Sequence, residues 1–89
     1  MLSLEWSSGF ERALKKWLGK HPADQELIRT RLEVFIDNPF APELKNHKLS
    51  GQLQGLRAFS VSYDCRIVFS MVEETTALLV SIGTHDEVY

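Results

Sequence analysis

The sequence predicts an α+β fold in which a helix hairpin covers one face of a small antiparallel sheet, in the order β-α-α-β-β-β. Three observations lead there: an alternating apolar stretch at the start, two amphipathic runs of helical period before Pro39, and a switch to period two after it. With 89 residues, 44% of them hydrophobic and 25% charged, the chain is sized for one globular domain over residues 1–89 and leaves no room for a second.

Taken in order, Leu2, Leu4 and Trp6 alternate with Ser3 and Glu5, which predicts a short strand with one buried face. Ser8 followed by Glu11 has the spacing of a capping box. Phe10, Ala13, Leu14, Trp17 and Leu18 then recur at helical intervals, with Trp6, Phe10 and Trp17 expected in the core. Pro22 suits a first helical turn, and Asp24 and Glu26 suit the positive end of a helix dipole. Leu27, Ile28, Leu32, Phe35 and Ile36 form a second stripe that Asn38-Pro39 ends. Beyond a loop punctuated by Gly51 and Gly55, three alternating sets predict strands: Phe59, Val61, Tyr63; Ile67, Phe69, Met71; and Leu78, Val80, Ile82. The short connections at Asp64-Cys65 and from Glu73 to Thr76 predict antiparallel hairpins. A single sheet covered by helices on one face leaves its other face for solvent or ligand.

Charge narrows the function. Ten Lys/Arg against twelve Asp/Glu give a net charge of −2, so no global field favours nucleic acid or an acidic membrane, and any anion site has to be local. Residues 43–70 hold four Lys/Arg and two Asp/Glu, whereas residues 71–89 hold none and four. The single cysteine, Cys65, excludes an internal disulfide and a cysteine-based zinc cage. The histidines have no i, i+3 or i+4 pairing, so no metal site is expected. No apolar run approaches membrane-spanning length and no signal sequence opens the chain, so a soluble cytoplasmic protein is expected.

Strand parity puts Arg66 on the open face with Asp64 two residues before it and Ser81 on the last strand, and His85 follows if the chain stays extended past Gly83. His47 near the first core strand and Tyr89 at the end of the chain are further polar groups that a short fold could bring there. Without a metal, cleavage of a phosphodiester needs three things: a base for the ribose 2′-hydroxyl, an acid for the leaving 5′-oxygen and a cation for the phosphate oxygens. Histidine and aspartate can serve as acid and base, arginine offers a bidentate fork, and tyrosine can stack on a base or donate to phosphate.

The segments His47-Lys48-Leu49-Ser50-Gly51, Gly55-Leu56-Arg57, Asp64-Cys65-Arg66-Ile67-Val68-Phe69 and Gly83-Thr84-His85-Asp86-Glu87-Val88-Tyr89 resemble the RelE/ParE superfamily of toxins, most nearly its YafQ-like and RelE/StbE branches. The resemblance implies one RelE-like domain acting as a ribosome-dependent endoribonuclease. Such a protein cuts messenger RNA without a metal or small-molecule cofactor and is silenced by a cognate antitoxin. By position, His47, Asp64 and His85 match the polar residues of the YafQ-like site, and Tyr89 its closing aromatic. Arg66 stands where related toxins hold the scissile phosphate, and Glu43 where the YoeB-like branch has a catalytic glutamate. This implies His85 as acid, His47 or Asp64 as base, and Lys45, Lys48 and Arg57 as RNA contacts. The chain departs from the pattern at Ser60, where a histidine is usual, at Cys65, where a tryptophan is usual, and at Ser81, where arginine often occurs. Two other readings remain open: a ParE-like DNA gyrase poison that needs no catalytic groups, and a catalytically weak antitoxin-binding homologue.

Overall fold

The computed structural model describes residues 1–88. Strand β1 (Ser3–Trp6) leads into helices α1 (Ser8–Lys20) and α2 (Gln25–Asp37), joined by a 3₁₀ turn at Pro22–Asp24. A second such turn at Pro42–Leu44 precedes the two-residue strand β2 (His47–Lys48), and a third at Gly51–Leu53 precedes β3 (Arg57–Ser60). Strands β4 (Arg66–Glu73) and β5 (Thr76–Gly83) follow, and a single turn of helix, α3 (His85–Val88), closes the described chain. No described helix is long and apolar enough to cross a membrane.

The expected element order holds, with β2 and α3 added. The sheet has five strands in the order β1-β5-β4-β3-β2. It is mixed rather than wholly antiparallel, because β1 pairs parallel to β5, with Ser3 beside Thr76 and Trp6 beside Leu79. Parallel pairing requires a long crossover, and here the helices together with the other strands supply it.

Local signals explain the helices, with one shift. Ser7, one residue before the expected cap, holds the start of α1: its hydroxyl accepts a hydrogen bond from the Phe10 N–H at 2.9 Å. Pro22 opens the 3₁₀ turn rather than α2 itself. On the covered face Phe35 of α2 stacks on Phe59 of β3 with ring centroids 4.4 Å apart and meets Phe69 of β4 edge-on at 4.7 Å. Phe10, Leu44, Ile67 and Leu79 complete this fully buried centre.

Several expected core positions lie elsewhere, among them Met71 near the end of β4, which is 41% exposed. Trp6 is 45% exposed at the sheet edge, where it meets Phe10 edge-on at 5.0 Å. The alternation at Phe59 and Val61 stops before Tyr63, because β3 ends at Ser60. On β5 the buried set is Ala77, Leu79 and Ile82, not Leu78, Val80 and Ile82. Phe69 pairs with Leu79 while Val68 pairs with Ser81, so a bulge inserts one residue into β5 and changes its phase.

The face away from the helices is also not fully open. Leu49 and Leu56 from the β2–β3 loop, with Val80, pack over buried Ala58 and Val68. The loop folds back because Gly51 and Gly55 take positive φ of 67° and 92°, and the Leu49 N–H to Leu56 carbonyl bond of 3.0 Å closes it.

Candidate active site

A groove of about 310 Å³ opens between α2, the Pro42–Leu44 turn and the loop joining β3 to β4. Leu44 is fully buried and anchors that turn, while its neighbours Glu43 and Lys45 are exposed. Lys45 takes the left-handed conformation, with φ of 52°, and so reverses the chain into β2. Across the groove stand Ser60 at the end of β3, Ser62 and Tyr63 of the loop, and Arg66 at the start of β4. Arg31 reaches it from α2. Of the four charged side chains lining it, Arg31, Lys45 and Arg66 are cationic and only Glu43 is acidic, so the groove is locally positive in a chain of net charge −2.

Arg66 is held from below. Its Nη1 donates to the carbonyls of Ser62, of Tyr63 at 2.9 Å and of Cys65 at 3.3 Å, fastening the β3–β4 loop to the strand it precedes. The remaining fork atoms make no hydrogen bond to other described residues. Arg66 pairs with Ser60 on one side and Gly83 on the other, and cross-strand partners share a face. It therefore lies on the face away from the helices, as parity predicts.

His47 lies on the same face. It pairs with Ala58, two residues from Ser60 along β3, which puts its Cα about 12 Å from that of Arg66 by strand geometry. Its Nδ1 is 2.9 Å from the Lys45 carbonyl oxygen. A carbonyl can only accept, so Nδ1 carries the hydrogen, and Nε2 is the basic nitrogen of the neutral ring.

Among the described residues, the other sequence-selected ones do not line the groove. His85 begins α3, two residues beyond the Gly83 that pairs with Arg66, and is exposed, with Nδ1 3.6 Å from the Asp86 carboxylate. Asp64 is exposed in the bend between β3 and β4, off both strands, so strand parity does not govern it and it does not line the groove. Ser81 pairs with Val68 and so shares the face away from the helices, as parity predicts, and it also borders a cavity beside α1 with Lys16, Trp17 and Lys20. Tyr89 falls outside the described residues.

Lys48 and Arg57 border a different cavity, under the β2–β3 loop. Arg57 pairs with core residue Phe69 and so belongs to the helix side of the sheet. There its Nε donates to the side-chain Oδ1 of Asn46 at 2.8 Å, and its guanidinium lies 5.3 Å from the Phe40 ring centre.

Arg31, Ser62 and Tyr63 were not singled out by sequence. Arg31 could have been: it sits three residues after Ile28 and four after Leu27, a cation on the flank of the apolar stripe. Cys65 is fully buried, and burial pushes its thiol up to about 12, with the Asp24 carboxylate adding to the rise and Arg66 opposing it. It is no nucleophile at neutral pH. Among the described residues no group of three or more His, Cys, Asp or Glu side chains is placed to hold a metal ion.

Comparison with known proteins agrees with this fold. The chain is similar in structure to YafQ of Escherichia coli strain BL21(DE3), with a TM-score of 0.80 at 20% identity, over 100% of this chain and 99% of that one. It is similar to YafQ within the E. coli DinJ–YafQ complex, with a TM-score of 0.78 at 20% identity and the same coverage. It also resembles a metal-bound toxin from Helicobacter pylori, with a TM-score of 0.78 and 31% identity over the whole of both chains. No curated protein sequence matches it. The family described as the bacterial toxin of type II toxin-antitoxin systems, YafQ, matches residues 2–89, and the chain belongs to that family.

Proposed function

We propose that this toxin is an endoribonuclease that cuts messenger RNA on the ribosome, and that a cognate antitoxin silences it. The observation that carries the reading is the groove lined by Arg31, Lys45 and Arg66, with His47 on the same sheet face as Arg66, about 12 Å from it by strand geometry, and its Nε2 the basic nitrogen. The cations suit a phosphodiester, and Arg66 suits its equatorial oxygens. His47 Nε2 takes the proton of the ribose 2′-hydroxyl. The 2′-oxygen attacks phosphorus and the bond to the 5′-oxygen breaks, leaving a cyclic phosphate. His85, protonated, gives its proton to that 5′-oxygen. Asp64 has the weaker claim as base because it stands outside the groove, while Glu43 lines it and is placed to orient the attacking hydroxyl. The metal-independent scheme uses only these side chains. Lys48, next to His47 in β2, pairs with Arg57 and so turns to the helix side, which leaves both with a weaker claim as RNA contacts. The antitoxin is the partner that the toxin family and the DinJ–YafQ assembly of the E. coli relative support.

The test is to add antitoxin-free protein to translating ribosomes and map messenger ends by primer extension, with the His85→Ala variant in parallel. New ends are expected within codons, with the variant slower by about 10²–10⁴-fold. Its melting temperature should be unchanged, because His85 is exposed. Intact messenger in an actively translating mixture overturns the proposal and returns the gyrase-poison reading.

A further inference from the structure

Tyr63 occupies an unusual position at the groove. Its side chain is 90% exposed, a large aromatic ring turned to water at the tip of the β3–β4 loop, and it stacks on no other ring among the described residues. An exposed ring on a floppy loop would mean little, but this loop is tied. The Val61 and Ser62 N–H groups donate to the Cys65 carbonyl at 2.9 and 3.3 Å, and the Cys65 N–H returns a bond to the Ser62 carbonyl at 3.3 Å. The Cys65 side chain is fully buried beneath it. The Tyr63 carbonyl is itself 2.9 Å from Arg66 Nη1, so the residue that bears the ring is bonded to the guanidinium that faces the anion groove.

From this arrangement we infer that Tyr63 is a stacking platform for a nucleobase of the RNA strand whose phosphate lies against Arg66. The inference rests on the endoribonuclease reading above and adds a specific contact to it. An aromatic face beside a cationic groove is the usual means of gripping single-stranded nucleic acid, since cations follow the backbone and every base offers a π-face. Because the loop is already ordered, binding gives up little conformational freedom at this contact. The shared bond with Arg66 keeps ring and phosphate site at a constant separation, as neighbouring parts of one nucleotide chain require. Stacking of this kind tolerates any base and releases no counterion, so its contribution should not vary with salt, unlike that of Lys45 or Arg31.

The test is equilibrium binding of a fluorescently labelled, single-stranded oligoribonucleotide at several salt concentrations. Tyr63→Ala should weaken binding by about 5- to 150-fold at every salt concentration, with the slope of log affinity against log salt unchanged. Tyr63→Phe, which keeps the ring, should bind within about twofold of the unmodified chain. Lys45→Ala should weaken binding and flatten the slope by about one. Affinity indifferent to Tyr63→Ala, or an equal loss in Tyr63→Phe, overturns the inference and leaves the ribonuclease reading standing. An unmodified chain that binds no RNA even at low salt removes that reading, and the inference falls with it. Superimposable thermal melts of the variants, expected from the exposure of Tyr63, separate lost binding from lost folding.

Discussion

The two faces of the sheet are built on different principles. On the helix side three phenylalanines from α2, β3 and β4 interlock in a fully buried layer. On the other side Ala58 and Val68 form a small buried cluster beneath Leu49, Leu56 and Val80. Past this small cap the strands expose Ser60, Arg66 and His47, and the groove begins. A large aromatic layer defines one backbone arrangement, because rings of that size fill the space in few ways. With that arrangement secured, the thin side can carry the polar groups of the proposed site. Stability and the proposed chemistry thus occupy opposite sides of the same strands, and adjacent residues such as Ile67 and Arg66 face opposite ways.

Mutations should separate the two faces. Phe59→Ala removes the ring at the centre of the aromatic layer and should cost about 3–5 kcal/mol of stability, read from urea unfolding. A loss below about 2 kcal/mol would mean that the layer repacks and does not secure the sheet. The Cys65 thiol belongs to the same interior and gives a pH signature. The unfolded thiol ionises near its ordinary value of about 8.5, whereas the folded one holds its proton to about 12. Its contribution is therefore complete below pH about 8.5 and is lost as pH rises toward 12. Over that range the unmodified chain should lose stability more steeply than Cys65→Ala, by at most about 1.4 kcal/mol per pH unit. Parallel slopes would show that the thiol is solvated in the folded chain. On the thin face, Val68→Ala should cost about 1–2 kcal/mol, since two methyl groups leave a small cluster. A loss as large as that of Phe59→Ala would erase the distinction between the faces.

Much of this was readable in the chain itself. The helix stripes, the breaks at Pro39, Gly51 and Gly55, and the period-two runs follow from spacings of two to four residues, and they put the elements in the right order. The placement of Arg66 on the face away from the helices also followed, because Ile67 and Phe69 took the core as expected and no bulge interrupts their pairing with β3, although Val68 between them is apolar as well. Strand β5 did not yield in the same way. Leu78, Leu79 and Val80 are consecutive apolar residues, so either phase satisfies the alternation, and a bulge opposite Val68 chose Leu79 for the core. Asp64 misled for a related reason: parity extends only as far as the strand does, and β4 begins at Arg66. Arg57 carried the right charge, but its pairing with Phe69 turned it to the helix side, where Asn46 and Phe40 hold it. The glutamate at 43 and the lysine at 45 met Arg66 because buried Leu44 between them anchors their turn.

By itself the sequence determined the kind and order of elements, the family likeness and the stock of cations and histidines. These properties are local, since helix and strand periods and turn chemistry act between near neighbours along the chain. Only the tertiary structure decided that β1 lies parallel to β5, that the β2–β3 loop caps part of the far face, and that Arg31, distant in sequence from Arg66, shares a groove with it. Those outcomes depend on which register lets the aromatic layer close. That is a property of side chains far apart in the chain, and it exists only once they pack.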